Sequence, residues 1–218
     1  MCGNHLNEPA IGEQWLVDNP VFREFIDAVN AARKSSEDPE EVIAAIRPPF
    51  EEIMKKDGWL PEKFMNPAEG SGMGSGIGMW LLYRSLDGSL AFSSLVVPPG
   101  AETPVHDHLA WGLIGLYRGE QSEHTYTRKD DGSTEGEAEL TLMKSQHLKP
   151  GNMYALLPEV DIHKVKTTGD QTSVSLHLLG IDNGCIWRHR FFPEEHKVVP
   201  FKSGYVNLPC EETESVAD

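Results

Sequence analysis

Basic residues are scarce in this sequence. Lys and Arg number 19 against 34 Asp and Glu in 218 residues, a formal charge of −15. A nucleic-acid binder needs a cationic face to meet phosphates, and a protein that sits on anionic lipid needs a basic patch, so the balance argues against both partner classes. Cysteine is scarcer still. Cys2, Cys185 and Cys210 stand far apart and form no CxxC pair, which removes a zinc ribbon and a thioredoxin-like redox couple. An odd, sparse set suits a reducing compartment. Long hydrophobic runs are missing too, since no apolar stretch approaches the roughly 20 residues of a membrane-spanning helix. The first residues (MCGNHLNEPAIGEQW) lack the basic and apolar regions of a secretory signal, and the expectation is a cytoplasmic protein.

The remaining composition, 39% hydrophobic and 24% charged, fits a soluble globular chain. Its length suits one domain, or one domain with an added helical segment, and is enough to bury a full core without staples. Residues 13–33 carry Phe22, Phe25, Ile26 and Val29 at helical spacing, with Asn19 as N-cap and Pro20 at the first helical position. A second helix is predicted from Asp38–Pro39 through Val42, Ile43 and Ile46, stopped by Pro48–Pro49. A third, short helix follows through Phe50, Ile53 and Met54. The run GSGMGSGIG at 70–78 lacks the GK[ST] ending of a phosphate loop and reads as a flexible surface loop.

From Met79 the texture changes. Short apolar runs (MWLLYR, LAFSSLVV, GLIGLYRG, EHTYTR, ELTLMK, MYALLP, HKVKT, SVSLHLLG) alternate with Gly, Pro and Asp-Gly turns, among them Asp87-Gly88 and Asp131-Gly132. Many short strands with no long helix between them predict a mainly β sandwich or barrel. The expected organisation is a helical segment with the glycine-rich loop over 1–78, a barrel over 79–210 and a frayed acidic tail over 211–218.

Nine histidines are present, and His106-Asp107-His108 stands out. Residues i and i+2 of a strand project to one face, so both imidazoles can point into a barrel together. Gly100, five residues, His106-x-His108, Gly112 and Gly119 reproduce the spacing of the first cupin motif, G-x5-HxH-x3,4-E-x6-G. Gly151…Pro158-x-Val160-x2-His163 resembles the second motif, which supplies another histidine. The expected fold is therefore a cupin, a double-stranded β-helix of the jelly-roll kind with N-terminal helices. Gly112 stands where the first motif places a glutamate ligand. His106, His108 and His163 then form a set of three neutral imidazoles, suited by ligand type to zinc, copper or iron. His124, His147, His189 and His196 have no motif partners and read as surface or structural residues, and Trp111 reads as core.

The stretches PPFEEIMKKDGWLPEKF, TPVHDHLAWGLIGLYRGE, DIHKV, SVSLHLLGIDNG and FKSGYVN, spanning about 48–207, resemble the bacterial thiol dioxygenases of the cysteine dioxygenase family. The nearest type is the 3-mercaptopropionate dioxygenases. The resemblance implies a mononuclear Fe(II) centre that uses O2 to convert a small thiol to a sulfinate, with His106, His108 and His163 on the iron ligands. The family's Ser-x-His-x-Tyr triad falls on Ser175-Leu176-His177-Leu178-Leu179. Serine and histidine match, while Leu179 replaces the tyrosine and removes a phenol from beside the iron. The tyrosine–cysteine crosslink of animal cysteine dioxygenases has neither partner here, since the neighbourhood of the HxH reads Trp111-Gly112-Leu113. In the mercaptopropionate type an arginine after the triad binds the substrate carboxylate, and Arg188 has that spacing from His177. Cysteine dioxygenases use an arginine on an early strand, for which Arg84 is the candidate, with Met79 or Trp80 as alternative occupants of that position. Arginine suits the task because its planar fork donates two parallel hydrogen bonds.

Three functions compete on this reading: an Fe(II) thiol dioxygenase acting on a small carboxylate thiol, a divergent cupin oxygenase or lyase on another small acid, and a non-catalytic cupin that binds an acid. The implied partners are a small thiol and O2, with no nucleic acid and no membrane.

Overall fold

The computed structural model describes residues 13–210, so Cys2 and the acidic tail lie outside the described residues. After a two-residue strand at Gln14–Trp15 come two helices. α1 (Pro20–Ser35) starts where Asn19 caps it, its side chain accepting from the Phe22 N–H at 3.0 Å while its own amide donates to the Trp59 carbonyl at 2.8 Å. α2 (Pro39–Lys55) starts at Asp38, whose carboxylate accepts from the Glu40 N–H at 2.9 Å. The predicted stop at Pro48–Pro49 does not occur. α2 runs through both prolines, so the second and third predicted helices are one. An internal proline costs about 3 kcal/mol. Here Val42, Ile43, Ile46, Phe50 and Ile53 stay in phase across the break, and all are buried at 5% exposure or less. Burying one such side chain is worth about 1.5–3 kcal/mol, so the stripe outweighs the prolines.

Among the described residues twelve strands follow the expected mainly β plan. They are β1 (Gln14–Trp15), β2 (Gly78–Arg84), β3 (Ala91–Val97), β4 (Val105–His106), β5 (Gly112–Arg118), β6 (Gln121–Arg128), β7 (Leu140–Leu148), β8 (Met153–Leu156), β9 (Ile162–Thr167), β10 (Ser173–Leu179), β11 (Arg188–Phe192) and β12 (Lys197–Phe201). One antiparallel sheet has the order β1-β2-β3-β10-β5-β8 and the other β12-β11-β4-β9-β6-β7. Strands β3 to β10 thus divide into the two interleaved four-stranded halves β3-β10-β5-β8 and β4-β9-β6-β7. That is the connectivity of a jelly roll, and the fold is a double-stranded β-helix with N-terminal helices. Asp87-Gly88 turns β2 into β3, and Asp131-Gly132 lies in the turn from β6 to β7.

The two faces of the first sheet do different work. Outward-facing Leu82, Phe92, Val96, Leu113, Val174, Leu176 and Leu178 form one core with α1, α2 and Trp59. Phe22, Trp59 and Phe92 stack there with centroids 5.5 and 5.7 Å from Phe22. α2 approaches β5 so closely that a Cβ on Gly115 would overlap Met54 and Phe50. The inward face supplies Met79, Leu81, Ala91 and Leu95, which meet Val165 of β9 and Phe201 of β12 between the sheets. Because β1 pairs with β2 and the helices close the outer core, the described segment 13–78 packs as one unit with the barrel.

The glycine-rich stretch is not a loose surface loop. Met73 and Ile77 are buried in the inner core, the Gly72 N–H donates to the Ser203 carbonyl at 2.6 Å, and the Ser71 hydroxyl donates to the Ile77 carbonyl. Glycine is needed at 72 because a Cβ there would run into the Lys202 carbonyl. The cysteine reading also changes. Cys185 and Cys210 form a disulfide with their Cα atoms 5.1 Å apart, so the set is not one of free thiols suited to a reducing compartment. Among the described residues no helix is long and apolar enough to cross a membrane.

Candidate metal centre

His106, His108 and His163 converge inside the barrel. Their ligand-capable nitrogens lie within 4.8 Å of one another, and each residue is 1% exposed. His106 and His163 are direct cross-strand partners on β4 and β9. His108 lies beyond the end of β4, so strand geometry alone does not aim it. Asp161 does: its carboxylate accepts the backbone N–H groups of His108 and Leu109 at 2.8 and 2.7 Å. Its carbonyl accepts from His108 Nδ1 at 3.1 Å, while Asn183 Nδ2 donates to the His108 carbonyl at 2.7 Å. Leu109 turns the chain away with φ of 57°.

Each imidazole is held by its Nδ1. His106 Nδ1 donates to the Pro104 carbonyl at 2.9 Å, His108 Nδ1 to the Asp161 carbonyl, and His163 Nδ1 to Glu123 Oε1 at 2.8 Å. This fixes the tautomer and leaves Nε2 as a lone-pair donor on every ring. The Nε2 of His108 is buried with no hydrogen-bond partner. An orphaned buried nitrogen beside two others is what a metal ion explains, and the three histidines could hold one. Burial, with the neighbouring cationic groups, holds His106 and His108 well below the usual imidazole range, so both remain neutral as ligands must be.

Ser175, His177 and Leu179 occupy the inward positions of β10, while Val174, Leu176 and Leu178 face the helices. Ser175 Oγ and His177 Nε2 are 2.9 Å apart. Burial, then the charges of His163 and Arg188, push His177 down to about 3, so it is a neutral hydrogen-bonding group. Leu179 packs with Ile114, Leu156 and Tyr154 in an apolar wall. Trp111 packs at the edge of the helix-side core, as core rather than site.

Arg188 starts β11 at 2% exposure. It donates from Nη1 to the Asp107 carbonyl at 2.6 Å and from Nη2 to Ser203 Oγ at 2.9 Å, with its guanidinium 4.6 Å over the Phe201 ring. No described carboxylate forms an ion pair with it, and its Nε has no partner. Burial lowers it to about 10, and its charge is felt at His106, His108 and His177. Arg84 differs. It is buried in an ion pair with Asp182 at 3.0 Å, and Asp182 also accepts from Tyr205 at 2.8 Å. Its charge is already matched. Met79 lies on the inner face of β2, whereas Trp80 packs on Phe64 toward the helices.

Four residues were not singled out from sequence. Glu123 and Tyr154 approach His163 from β6 and β8, with the Tyr154 hydroxyl 3.5 Å from His163 Nδ1. Asp161 holds His108. Asp107, the central residue of the HxH, accepts from the backbone N–H of His189 at 2.8 Å and contacts its Nδ1 at 2.6 Å, which gives that β11 histidine a structural role against the HxH segment. The available signals were an acid at an inward strand position, Glu123, and the Asp161-x-His163 spacing. Burial pushes Glu123 up, but hydrogen bonds from His163, Gln146 and Tyr154 bring it below the usual carboxylate range.

No protein-family model matches the chain. Among solved structures it is similar to an uncharacterized conserved protein with a double-stranded β-helix domain from Klebsiella pneumoniae. The two are 15% identical, with 59% of this chain and 88% of that one covered and a TM-score of 0.42. A cupin 2 conserved barrel domain protein from Salinispora arenicola gives 15% identity, 52% and 85% coverage and a TM-score of 0.37. An oxalate oxidase in complex with the substrate analogue glycolate gives 15%, 59% and 62%, and 0.42. At this distance they say nothing of substrate or chemistry. The chain is a double-stranded β-helix with a buried three-histidine group able to take a metal.

Proposed function

We propose that this protein is an Fe(II)-dependent thiol dioxygenase that converts a small carboxylate-bearing thiol of the 3-mercaptopropionate kind to its sulfinate. The observation that carries the reading is a buried guanidinium, Arg188, without a carboxylate, beside three buried imidazoles that all present Nε2. An uncompensated buried cation is costly, and a ligand carboxylate offsets that cost. The resemblance of the motifs supplies the sulfur chemistry. The reaction balances without an external reductant: R–SH plus O2 gives R–SO2H, four electrons passing from sulfur to oxygen and both oxygen atoms ending on sulfur.

His106, His108 and His163 would hold the ion. When bound, ferrous iron supplies a Lewis acid that acidifies a thiol and the one-electron chemistry that lets O2 react. The chain's own residues do the rest. Arg188 grips the carboxylate and fixes the reach of the sulfur, a proximity contribution. Ser175 orients His177, whose neutral ring offers a hydrogen bond to substrate or oxygen. Leu179, Ile114 and Leu156 form an apolar wall that excludes water. A second reading is favoured by that wall: with leucine for the triad phenol, the site suits a divergent oxygenase or lyase acting on a different small acid.

The test is O2 uptake and sulfinate measured together, on iron-loaded protein, over 3-mercaptopropionate, cysteine, mercaptosuccinate and bulkier thiols. One sulfinate per O2 from a carboxylate thiol supports the proposal. No sulfinate from any thiol retires it in favour of the second reading.

A further inference from the structure

Glu123 is 2% exposed and has no Lys or Arg partner among the described residues; its ion-pair contact is with His163. Its carboxylate accepts from His163 Nδ1 at 2.8 Å and from Gln146 Nε2, and the Tyr154 hydroxyl stands beside this pair, 3.5 Å from His163 Nδ1. These groups come from three strands. Gln146 is its direct cross-strand partner on β7, His163 lies diagonally across on β9, and Tyr154 reaches in from β8 in the other sheet. A carboxylate costs several kcal/mol to bury unless it is paired or fully hydrogen-bonded. No Lys or Arg among the described residues pairs with it, so its negative charge is directed at His163 and, through that ring, at the point where the three histidines converge. The cation it faces is the one that three Nε2 atoms are arranged to hold, one imidazole away.

The cupin motif would place a ligating glutamate at 112, where this chain has Gly112. We propose that Glu123 returns that charge to the metal centre from behind His163. It fixes the Nδ1–H tautomer, raises the basicity of Nε2, and gives the centre a net charge one unit lower than three imidazoles alone would. Gln146 and Tyr154 keep the carboxylate aimed at His163. The inference rests on the three-histidine metal site and not on the identity of the thiol.

The experiment compares metal-free wild type with Glu123→Gln, titrated with Co(II) and Fe(II) against a chromophoric chelator. Glutamine keeps the shape and an acceptor for His163 but removes the charge. Groups behind a ligand typically change metal affinity about 10–100-fold. The expected result is a loss of that size, a shifted Co(II) visible spectrum and a raised Fe(III)/Fe(II) midpoint potential. The thermal midpoint of the metal-free variant should change little, because glutamine keeps the shape and an acceptor for His163. A merely structural Glu123 would lower that midpoint and leave the spectrum of the bound ion as it was. Tyr154→Phe, which loosens the carboxylate without touching its charge, should weaken metal binding less than Glu123→Gln. Equal Co(II) affinity and equal spectra in wild type and Glu123→Gln overturn the proposal. If Glu123→Gln fails to fold, Glu123→Asp takes its place, and wild-type affinity there overturns it likewise. Wild type that binds neither ion instead removes the metal site itself.

Discussion

The Cδ2 atom of Leu179 lies where a Cβ on Gly112 would have to stand. The two residues pair across β10 and β5. The glycine at 112 and the leucine at 179 are thus one packing arrangement, since the leucine takes up the space a side chain at 112 would need. Gly112→Ala alone should destabilise the fold by about 1–3 kcal/mol through overpacking. Leu179→Ala opens the space, so the double variant should be more stable than the sum of the single losses, with a coupling of about 0.5–3 kcal/mol in denaturant unfolding. Rescue stays partial because the Leu178 carbonyl is also 3.0 Å from that Cβ position. Strict additivity would show that the two positions do not share the space.

Metal should bind at one ion per chain. Free metal at 100 times its dissociation constant stabilises a folded protein by about 2.7 kcal/mol, so the thermal midpoint should rise on loading and fall with a chelator. His163→Ala removes both a ligand and the group that Glu123 faces. Elemental analysis should find it empty, and full occupancy in that variant would sink the ligand assignment.

Much of this was legible because it is local. The Asn19–Pro20 cap and the short strand runs after Met79 are short-range patterns, and the fold realises both. What escaped is set by contacts distant in sequence. The apolar stripe of α2 overrides two prolines only because β5 and the first sheet are there to receive it. Ile77 anchors the glycine-rich segment through a core assembled from β2, β3, β9 and β12. Glu123 lies 40 residues before His163 and Asp161 lies 53 after His108, so neither pairing has a spacing to read. The Cys185–Cys210 bond depends on how the segment after β12 returns past the loop before β11.

That bond closes a sequence separation of 25 residues. Loop-closure entropy assigns such a crosslink about 3 kcal/mol of stability. Cys185→Ser with Cys210→Ser, or mild reduction, should lower the thermal midpoint by roughly 6–12 °C for a domain of this size. Just before Cys185 lie Asn183, which holds the His108 carbonyl, and Asp182, which pairs with Arg84. Reduction should therefore weaken metal binding as well as stability, by competition against a chelator. A lower midpoint with unchanged metal affinity would confine the bridge to a purely structural role.

Arg188 gives the sharpest test of the substrate class. Its guanidinium uses Nη1 on the Asp107 carbonyl and Nη2 on Ser203, which leaves N–H groups on all three nitrogens for a ligand carboxylate. Arg188→Ala should therefore cost carboxylate thiols about 2–4 kcal/mol in kcat/KM, on the order of 30- to 1000-fold, carried mainly by KM. Arg188→Lys should recover only part of this, because an ammonium cannot reproduce the planar fork. The same variants acting on cysteamine, a thiol without a carboxylate, separate binding from scaffolding. Arg188 also anchors the backbone between His106 and His108, so a collapsed site would slow every thiol alike. A loss confined to carboxylate thiols assigns Arg188 to the substrate, and equal losses on both assign it to the support of the HxH segment.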